Sequence, residues 1–390
     1  MITAGFTLIG RGNWSGGETY LRNMLGVISS ELAGKLQAKL FLTPAQAEKI
    51  GTSMDAFLAA PPIVDAKVAD FGRGRNAIRA LASGSDADAA RILSREGVDV
   101  VFEPAQFYGN RFPISVVSWI PDFQHRHLPH LFSRSMWWRR DLGYRLQTSG
   151  KRIILLSSDD ARRDCETYYP AARGKTAVVR FAIDLDPAPH IARQAEVIAR
   201  YELPQRYFYL PNQFWSHKNH GLVIKALAHI SANGGLDKVA PVILTGRTED
   251  PRNPRHFDQL LASAREAGVS GHFRHLGLVP YEDVFGLNAA SDALINPSLF
   301  EGWSTTVEEA KALGTRMLLS DISLHREQAP NATFFPVDDA VALASAMVTM
   351  SQGPARTHEK AEKLRADHAA RRQMYADALL GAFQRAAAVR

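Results

Sequence analysis

Two hydrophobic rhythms alternate along this chain. Short apolar runs bounded by Gly, Pro, Ser or Asp read as strands buried on both faces of a parallel sheet. Longer segments whose apolar residues return at helical spacing read as helices packed on that sheet. In the first half the pattern predicts strands at 6–10, 39–42, 98–102, 114–120, 152–156 and 176–180. In the second half it predicts strands at 207–210, 242–245, 273–276, 293–296, 317–320 and 333–336, with helices between them. Such spacing belongs to βαβ units. The segment 181–190, FAIDLDPAPH, carries two prolines and is the expected linker. The fold class expected is therefore α/β, with two doubly wound parallel-sheet domains. The Ala- and Arg-rich end, 356–390, is expected to be helical throughout.

One stretch concentrates the candidate chemistry. After the strand ending at Asn296, Pro297 and Ser298 stop the run, Gly302 to Thr306 form a small, hydroxyl-rich turn, and a helix is expected from about Thr305 to Gly314. A helix N-terminus at the carboxyl end of a parallel strand presents free amides and a positive dipole end, which suits phosphate. Glu301 stands just before this turn and Glu309 on the helix. Phosphate held by amides between two hydroxyl-binding carboxylates describes a nucleotide-sugar site.

Composition narrows the classes. The net charge of +6 favours anionic partners, yet no RNA-binding or zinc-finger signature accompanies it, so nucleic acid is not expected. The N-terminal apolar run leads straight into a glycine turn and reads as a strand rather than a signal peptide. The lone Cys165 cannot form an internal disulfide, which suits a reducing, cytoplasmic setting. Trp and Arg interleave through 131–147, a combination found both in packed helices and in helices lying on an anionic membrane.

The run Glu301-Gly302-Trp303-Ser304-Thr305-Thr306-Val307-Glu308-Glu309 resembles the E-x7-E signature of family-four retaining glycosyltransferases, whose fold is GT-B. Trp303-Ser304 and Thr306 depart from the usual pattern. The resemblance implies two Rossmann-like domains facing a cleft: an acceptor-binding domain at 1–183, a nucleotide-sugar domain at 184–368, and a helix at 369–390 crossing back. It implies that Glu301 meets the donor-sugar hydroxyls and Glu309 the ribose, with Gly302 to Thr306 lining the donor site. In Pro211-Asn212-Gln213-Phe214-Trp215-Ser216-His217-Lys218, Lys218 matches the family's diphosphate lysine, while Gln213 stands where an arginine is usual. The phosphate charge would then rest on Lys218, the helix amides and Arg247. Val279 lies where the family holds the nucleobase with backbone, and Gly16-Gly17 where a glycine loop faces the cleft.

The run Pro121-Asp122-Phe123-Gln124-His125-Arg126-His127 follows a strand and resembles the family's PDxQH segment. The resemblance implies that His125 meets the donor sugar and that Asp122 and Arg126 line the acceptor side. A structural loop and a metal site are the alternatives for His125, His127 and His130, three histidines within six residues, although this fold class needs no catalytic metal and none is expected. The activity implied is retaining transfer of a sugar from UDP or GDP to a glycan or lipid-linked acceptor, with surface polysaccharide synthesis as the setting the resemblance suggests. Two rivals share the architecture: an epimerase acting on the nucleotide sugar alone, and a non-catalytic binding module.

Overall fold

The computed structural model describes residues 1–12, 15–357 and 359–389. Asn13 and Trp14, part of the glycine-rich segment discussed above, lie outside the described residues. The chain divides into two compact units. The first combines Met1–Arg126, Phe132–Asp184 and the chain from Ala370 onward; the second combines His127–Leu131 with Leu185–Ala369.

The first unit holds seven strands: Ile2–Thr7 (β1), Leu36–Leu42 (β2), Ile63–Val64 (β3), Val100–Pro104 (β4), Ser115–Trp119 (β5), Arg152–Leu156 (β6) and Thr176–Val178 (β7). They pair in parallel in the order β3-β2-β1-β4-β5-β6-β7. Its helices are Ser15–Ser30 (α1), Pro44–Ile50 (α2), Gly74–Ser83 (α3), Ala87–Arg95 (α4), Gln124–His127 (α5), Arg134–Gln147 (α6) and Asp159–Tyr168 (α7). The first strand sits earlier than the expected 6–10. Pairing with β2 ends at Thr7, and Gly10, in the left-handed region at φ 63°, carries the chain into a short turn instead. Gly5, inside β1, is explained by crowding: a Cβ there would lie 3.1 Å from the Val98 side chain and 3.2 Å from that of Leu93.

The second unit holds Phe208–Leu210 (β8), Val242–Leu244 (β9), Phe273–His275 (β10), Ala293–Asn296 (β11), Met317–Ser320 (β12) and Thr333–Phe335 (β13). Its sheet is parallel in the order β10-β9-β8-β11-β12-β13. Around it run Pro187–Ala192 (α8), Gln194–Arg200 (α9), His220–Ala232 (α10), His256–Glu266 (α11), Tyr281–Ala290 (α12), Thr305–Ala312 (α13), Ser323–Gln328 (α14) and Ala340–Gln352 (α15). The sequence walks outward from β8 to β10 and then restarts at β11 on the other side. This makes the β8/β11 boundary the topological switch point, where open parallel sheets collect ligands. Phe208, Leu210, Val242, Leu244 and Ile295 pack beneath α10 and α15 in one apolar core.

The last helix, Ala361–Ala388 (α16), contributes to both units, changing membership at Ala370. It begins after Arg356, not at it. Arg356 is drawn into the second unit, where its guanidinium donates to the carbonyl oxygens of Asn288, Ala289, Ser291 and Leu313 at the ends of α12 and α13. No helix among the described residues is long and apolar enough to cross a membrane.

Candidate functional site

At the carboxyl end of β8 the chain enters a turn, Ser216–Lys218, which the left-handed Asn219 (φ 55°) joins to α10. At the carboxyl end of β11, Asn296 is fully buried and organises the next loop. Its Oδ1 accepts from the Ser298 amide and hydroxyl and from Asn212 Nδ2, while its Nδ2 donates to Ser304 Oγ and Thr306 Oγ1. One amide therefore ties both strand ends to the start of α13. The Leu299 amide donates to the His217 carbonyl at 2.8 Å, stitching the two loops together.

Lys218 and Glu301 meet in this arrangement. Lys218 Nζ donates to Glu301 Oε1 at 2.6 Å, and the Ser298 hydroxyl donates to the same oxygen at 2.7 Å. Both side chains are largely enclosed, with exposures of 15% and 7%, so the contact is far less screened than a surface pair. Burial pushes the Glu301 carboxyl up, but the positive field of Lys218, with His217 and His325, outweighs it and holds the group below its ordinary range. His325 was not expected from the sequence. It is fully buried on α14, its Nδ1 near the Ser320 carbonyl at 2.8 Å, and burial lowers its basicity although Glu301 pulls the other way. Its sequence signal is a histidine just past the carboxyl end of a strand, which carries no motif of its own.

Ser304 precedes α13 but does not cap it: its hydroxyl is taken by Asn296 and Thr306. Its backbone is held by Gln328, which accepts from the Ser304 amide and donates to the Ser304 carbonyl. Thr305 and Thr306, half-buried, open the helix. Glu308 is occupied by Lys311 and Gln328. Glu309 faces inward, 5% exposed, with Oε2 lacking any hydrogen-bond partner, and burial raises its carboxyl to about 8. A carboxyl so placed is protonated at neutral pH until something polar reaches it.

The other expected donor-site residues differ in exposure. Gln213, Val279, Gly302 and Trp303 are half-buried, whereas Arg247 is exposed and its carbonyl accepts from the Phe214 amide. Gly246 explains how the two loops approach so closely: at φ 136° a Cβ would fall 2.7 Å from the Asn212 carbonyl oxygen. A second cation missed in the sequence is Arg252. Asp250 accepts from the Ser216 amide and hydroxyl and from Arg252, and Arg252 lies 3.2 Å from His217 Nδ1, so this pair braces the turn that carries Lys218.

In the first unit, His125 differs from the expectation of a ring free to meet a sugar. It is fully buried, with Nε2 3.1 Å from the Tyr169 hydroxyl. Tyr169 donates on to Asp141, which also pairs with Arg126 and with Arg145. Burial and then the nearby Arg140 push the His125 imidazole down to about 4, so it is neutral. Trp137, Tyr144 and Phe132 surround it, and the aromatic packing of α6 is the reason the ring turns inward. Asp122 pairs with Arg140 and caps the Gln124 amide, so Asp122 and Arg126 both serve internal ion pairs. Gly16 and Gly17 sit in the first turn of α1 rather than in a loop, the former exposed and the latter buried. Among the described residues no three His, Cys, Asp or Glu side chains are grouped as metal ligands.

Residues 196–368 match the family described as glycosyl transferases group 1. That span covers the Lys218 turn, the E-x7-E run and His325. Among curated proteins, no sequence matches the chain. Among solved structures, a glycosyltransferase from Rickettsia africae superposes with a TM-score of 0.65 at 13% identity, covering 97% of this chain and 95% of its own. Anabaena Alr3699/HepE, solved with UDP, gives 0.62 at 12% identity over 95% of this chain and 99% of that one. WaaG, a glycosyltransferase involved in lipopolysaccharide biosynthesis, gives 0.59 at 16% identity over 97% and 95%. At such identities the likeness establishes the fold. The chain has the GT-B architecture of two parallel-sheet, Rossmann-like units.

Proposed function

We propose that this protein is a retaining glycosyltransferase that moves a sugar from a nucleoside-diphosphate donor to a glycan or lipid-linked acceptor, in the synthesis of surface polysaccharide. The observation that carries the reading is the Lys218–Glu301 pair beside the start of α13, at the β8/β11 switch point. An ammonium and free helix amides at one place suit a pyrophosphate. A carboxylate whose Oε1 is already fixed by Lys218 and Ser298 leaves Oε2 for a sugar hydroxyl. Glu309, with an unpartnered oxygen one helix turn further on, suits the ribose.

In the reaction proposed, the bond from the anomeric carbon to the phosphate oxygen breaks. The acceptor oxygen bonds to the same face of that carbon, and its proton passes to the departing phosphate. Lys218, the α13 amides and the Asp250-braced turn stabilise the charge that grows on that phosphate, with Arg247, whose carbonyl accepts from the Phe214 amide of the same loop, adding to it. Glu301 orients the sugar. The donor belongs to the second unit and the acceptor to the first, where the buried His125 would support the loop that carries Asp122 and Arg126.

Thermal-shift measurements against UDP, GDP, ADP and dTDP test the reading at its base, because a ligand of the folded state raises the transition. One diphosphate is expected to stabilise the wild type and to lose most of that effect in Lys218→Ala. The same donor sugar nucleotide should give a glycosylated acceptor with the anomeric configuration retained. Conversion of the donor to an isomer without acceptor would identify an epimerase. Nucleotide binding without turnover would identify a binding module.

A further inference from the structure

We propose that the layer of the first unit carrying α3 and α6 docks on an anionic lipid surface. Trp138 on α6 is 64% exposed, Leu142 56% and Met136 41%. Helical spacing puts Trp138 and Leu142 one turn apart, with Arg134 and Arg145 on one flank of that stripe and Arg139 on the other. The only acid of the helix, Asp141, is buried beside the Arg134 and Arg145 flank, where Tyr169, Arg126 and Arg145 hold it. The outward face of α6 therefore presents aromatic and aliphatic groups, with Arg134 and Arg139 as charges that no carboxylate of the described residues neutralises.

The pattern recurs on α3. Ile78 is 67% exposed and Leu81 52%, beside exposed Arg75 and Arg79, in a helix that contains no acid. None of Arg75, Arg79, Arg134 and Arg139 has a carboxylate partner among the described residues. Both helices belong to connections that pass over one face of the sheet, on which α4 and α6 pack directly. The crossovers from β3 to β4 and from β5 to β6 run in the same direction across it, and right-handed connections then place their helices on the same side. The register agrees. Val101 pairs with Val116 and Val116 with Arg152, so Val101, Val116 and Ile154 point the same way. The first two pack beside α4, and Ile154 packs beside Tyr144 of α6.

Exposed apolar groups alone would equally fit another protein. Four arginines without partners, on two helices whose exposed faces lack any acid, fit negatively charged headgroups instead. Trp suits the headgroup depth of a bilayer, its ring apolar and its N–H wet, and arginines reach outward from that depth to phosphate. The proposal concerns this surface only. It stands or falls separately from the glycosyltransferase reading, which nucleotide binding tests.

The experiment is co-sedimentation of the full-length protein with phosphatidylcholine vesicles, with and without about 30 mol % phosphatidylglycerol. Binding is expected only with the anionic lipid, and raised salt should weaken it. Trp138→Ser/Leu142→Ser and Ile78→Ser/Leu81→Ser, all at exposed positions, should melt as the wild type does and each lower partitioning about tenfold. Arg134→Gln/Arg139→Gln should remove the preference for anionic vesicles. Absence of wild-type binding, or binding unchanged in either apolar double variant, would overturn the proposal. A wild-type dimer that the same substitutions dissolve would also overturn it, assigning the face to a second copy of the chain.

Discussion

Glu309→Gln should make the protein more stable and worse at its work. Glu309 lies on the inward face of α13 with an oxygen that no group reaches, and burial raises its carboxyl from an ordinary 4.5 to about 8. Between those values the folded chain keeps a proton that the unfolded chain releases, so stability falls as pH rises through that window. At pH 7 the folded state is penalised by about 3 kcal/mol, the product of the free energy per pKa unit and the distance from 4.5. Gln has the same shape and never ionises, so the variant escapes the penalty. Near pH 5 the two proteins should be nearly equal, and the gap should open by about 1.4 kcal/mol per pH unit until it levels off near pH 8. Urea unfolding at pH 5, 6, 7 and 8, followed through the transition of the second unit, measures this directly. The nucleotide affinity of the variant should fall, because an amide cannot become the carboxylate that a ribose diol prefers. A gap that stays constant with pH would refute the argument, showing that Glu309 is ionised in the fold or already partnered. A variant that gains stability and keeps full affinity would leave the residue's burial without a functional reason.

Three further outcomes follow from the geometry. Lys218→Ala leaves Glu301 enclosed without its cation and should destabilise the second unit by about 3 kcal/mol, while Lys218→Met with Glu301→Gln should recover most of that loss; equal losses in the single and double variants would mean the pair is not coupled. The His125 cluster should make the first unit acid-sensitive: a histidine lowered to about 4 contributes stability that is complete above 6.5 and is lost as pH falls between those values, about 3 kcal/mol in all. Asp141, which its partners hold below its ordinary range against the upward push of burial, should add a further loss below about 3.8, and His125→Gln should flatten only the upper part of the acid unfolding curve. Gly246→Ala must accommodate both a left-handed backbone and a Cβ at 2.7 Å from Asn212, so it should lower nucleotide affinity at least tenfold, by about 1.4 kcal/mol, along with the transition temperature; a variant binding as the wild type does would show that the two loops move independently.

Some of this was legible in the chain and some was not, for identifiable reasons. The strands at Arg152–Leu156, Ala293–Asn296 and Met317–Ser320 fall where the apolar runs end in polar punctuation, because those strands are buried on both faces. The first strand was displaced because Leu8 and Ile9 are as apolar as the strand itself, and only the left-handed Gly10 reveals the turn. The last helix began late because Arg356 has as good a helical propensity as its neighbours, and four distant carbonyls claimed it. In the site, Lys218 and Glu301 stood out by spacing and by their place after strands. Their direct contact did not, since it joins residues 83 positions apart. Asn296, Ser298, Asp250 and His325 are common residue types whose meaning lies in three-dimensional company. His125 was expected to meet the donor sugar, and nothing in its sequence neighbours told that it would be buried beside Tyr169 and near Asp141.

The first unit cannot be finished without the chain from Ala370 onward. Phe6 of its first strand packs against Phe383, and Phe181 against Tyr375, so its aromatic core joins residues on either side of the whole second unit in sequence. The second unit apart from His127–Leu131 is one uninterrupted stretch, Leu185–Ala369. We therefore expect a chain cut after residue 369 to keep its second unit and lose its first: protease should spare Leu185–Ala369 and digest the earlier half.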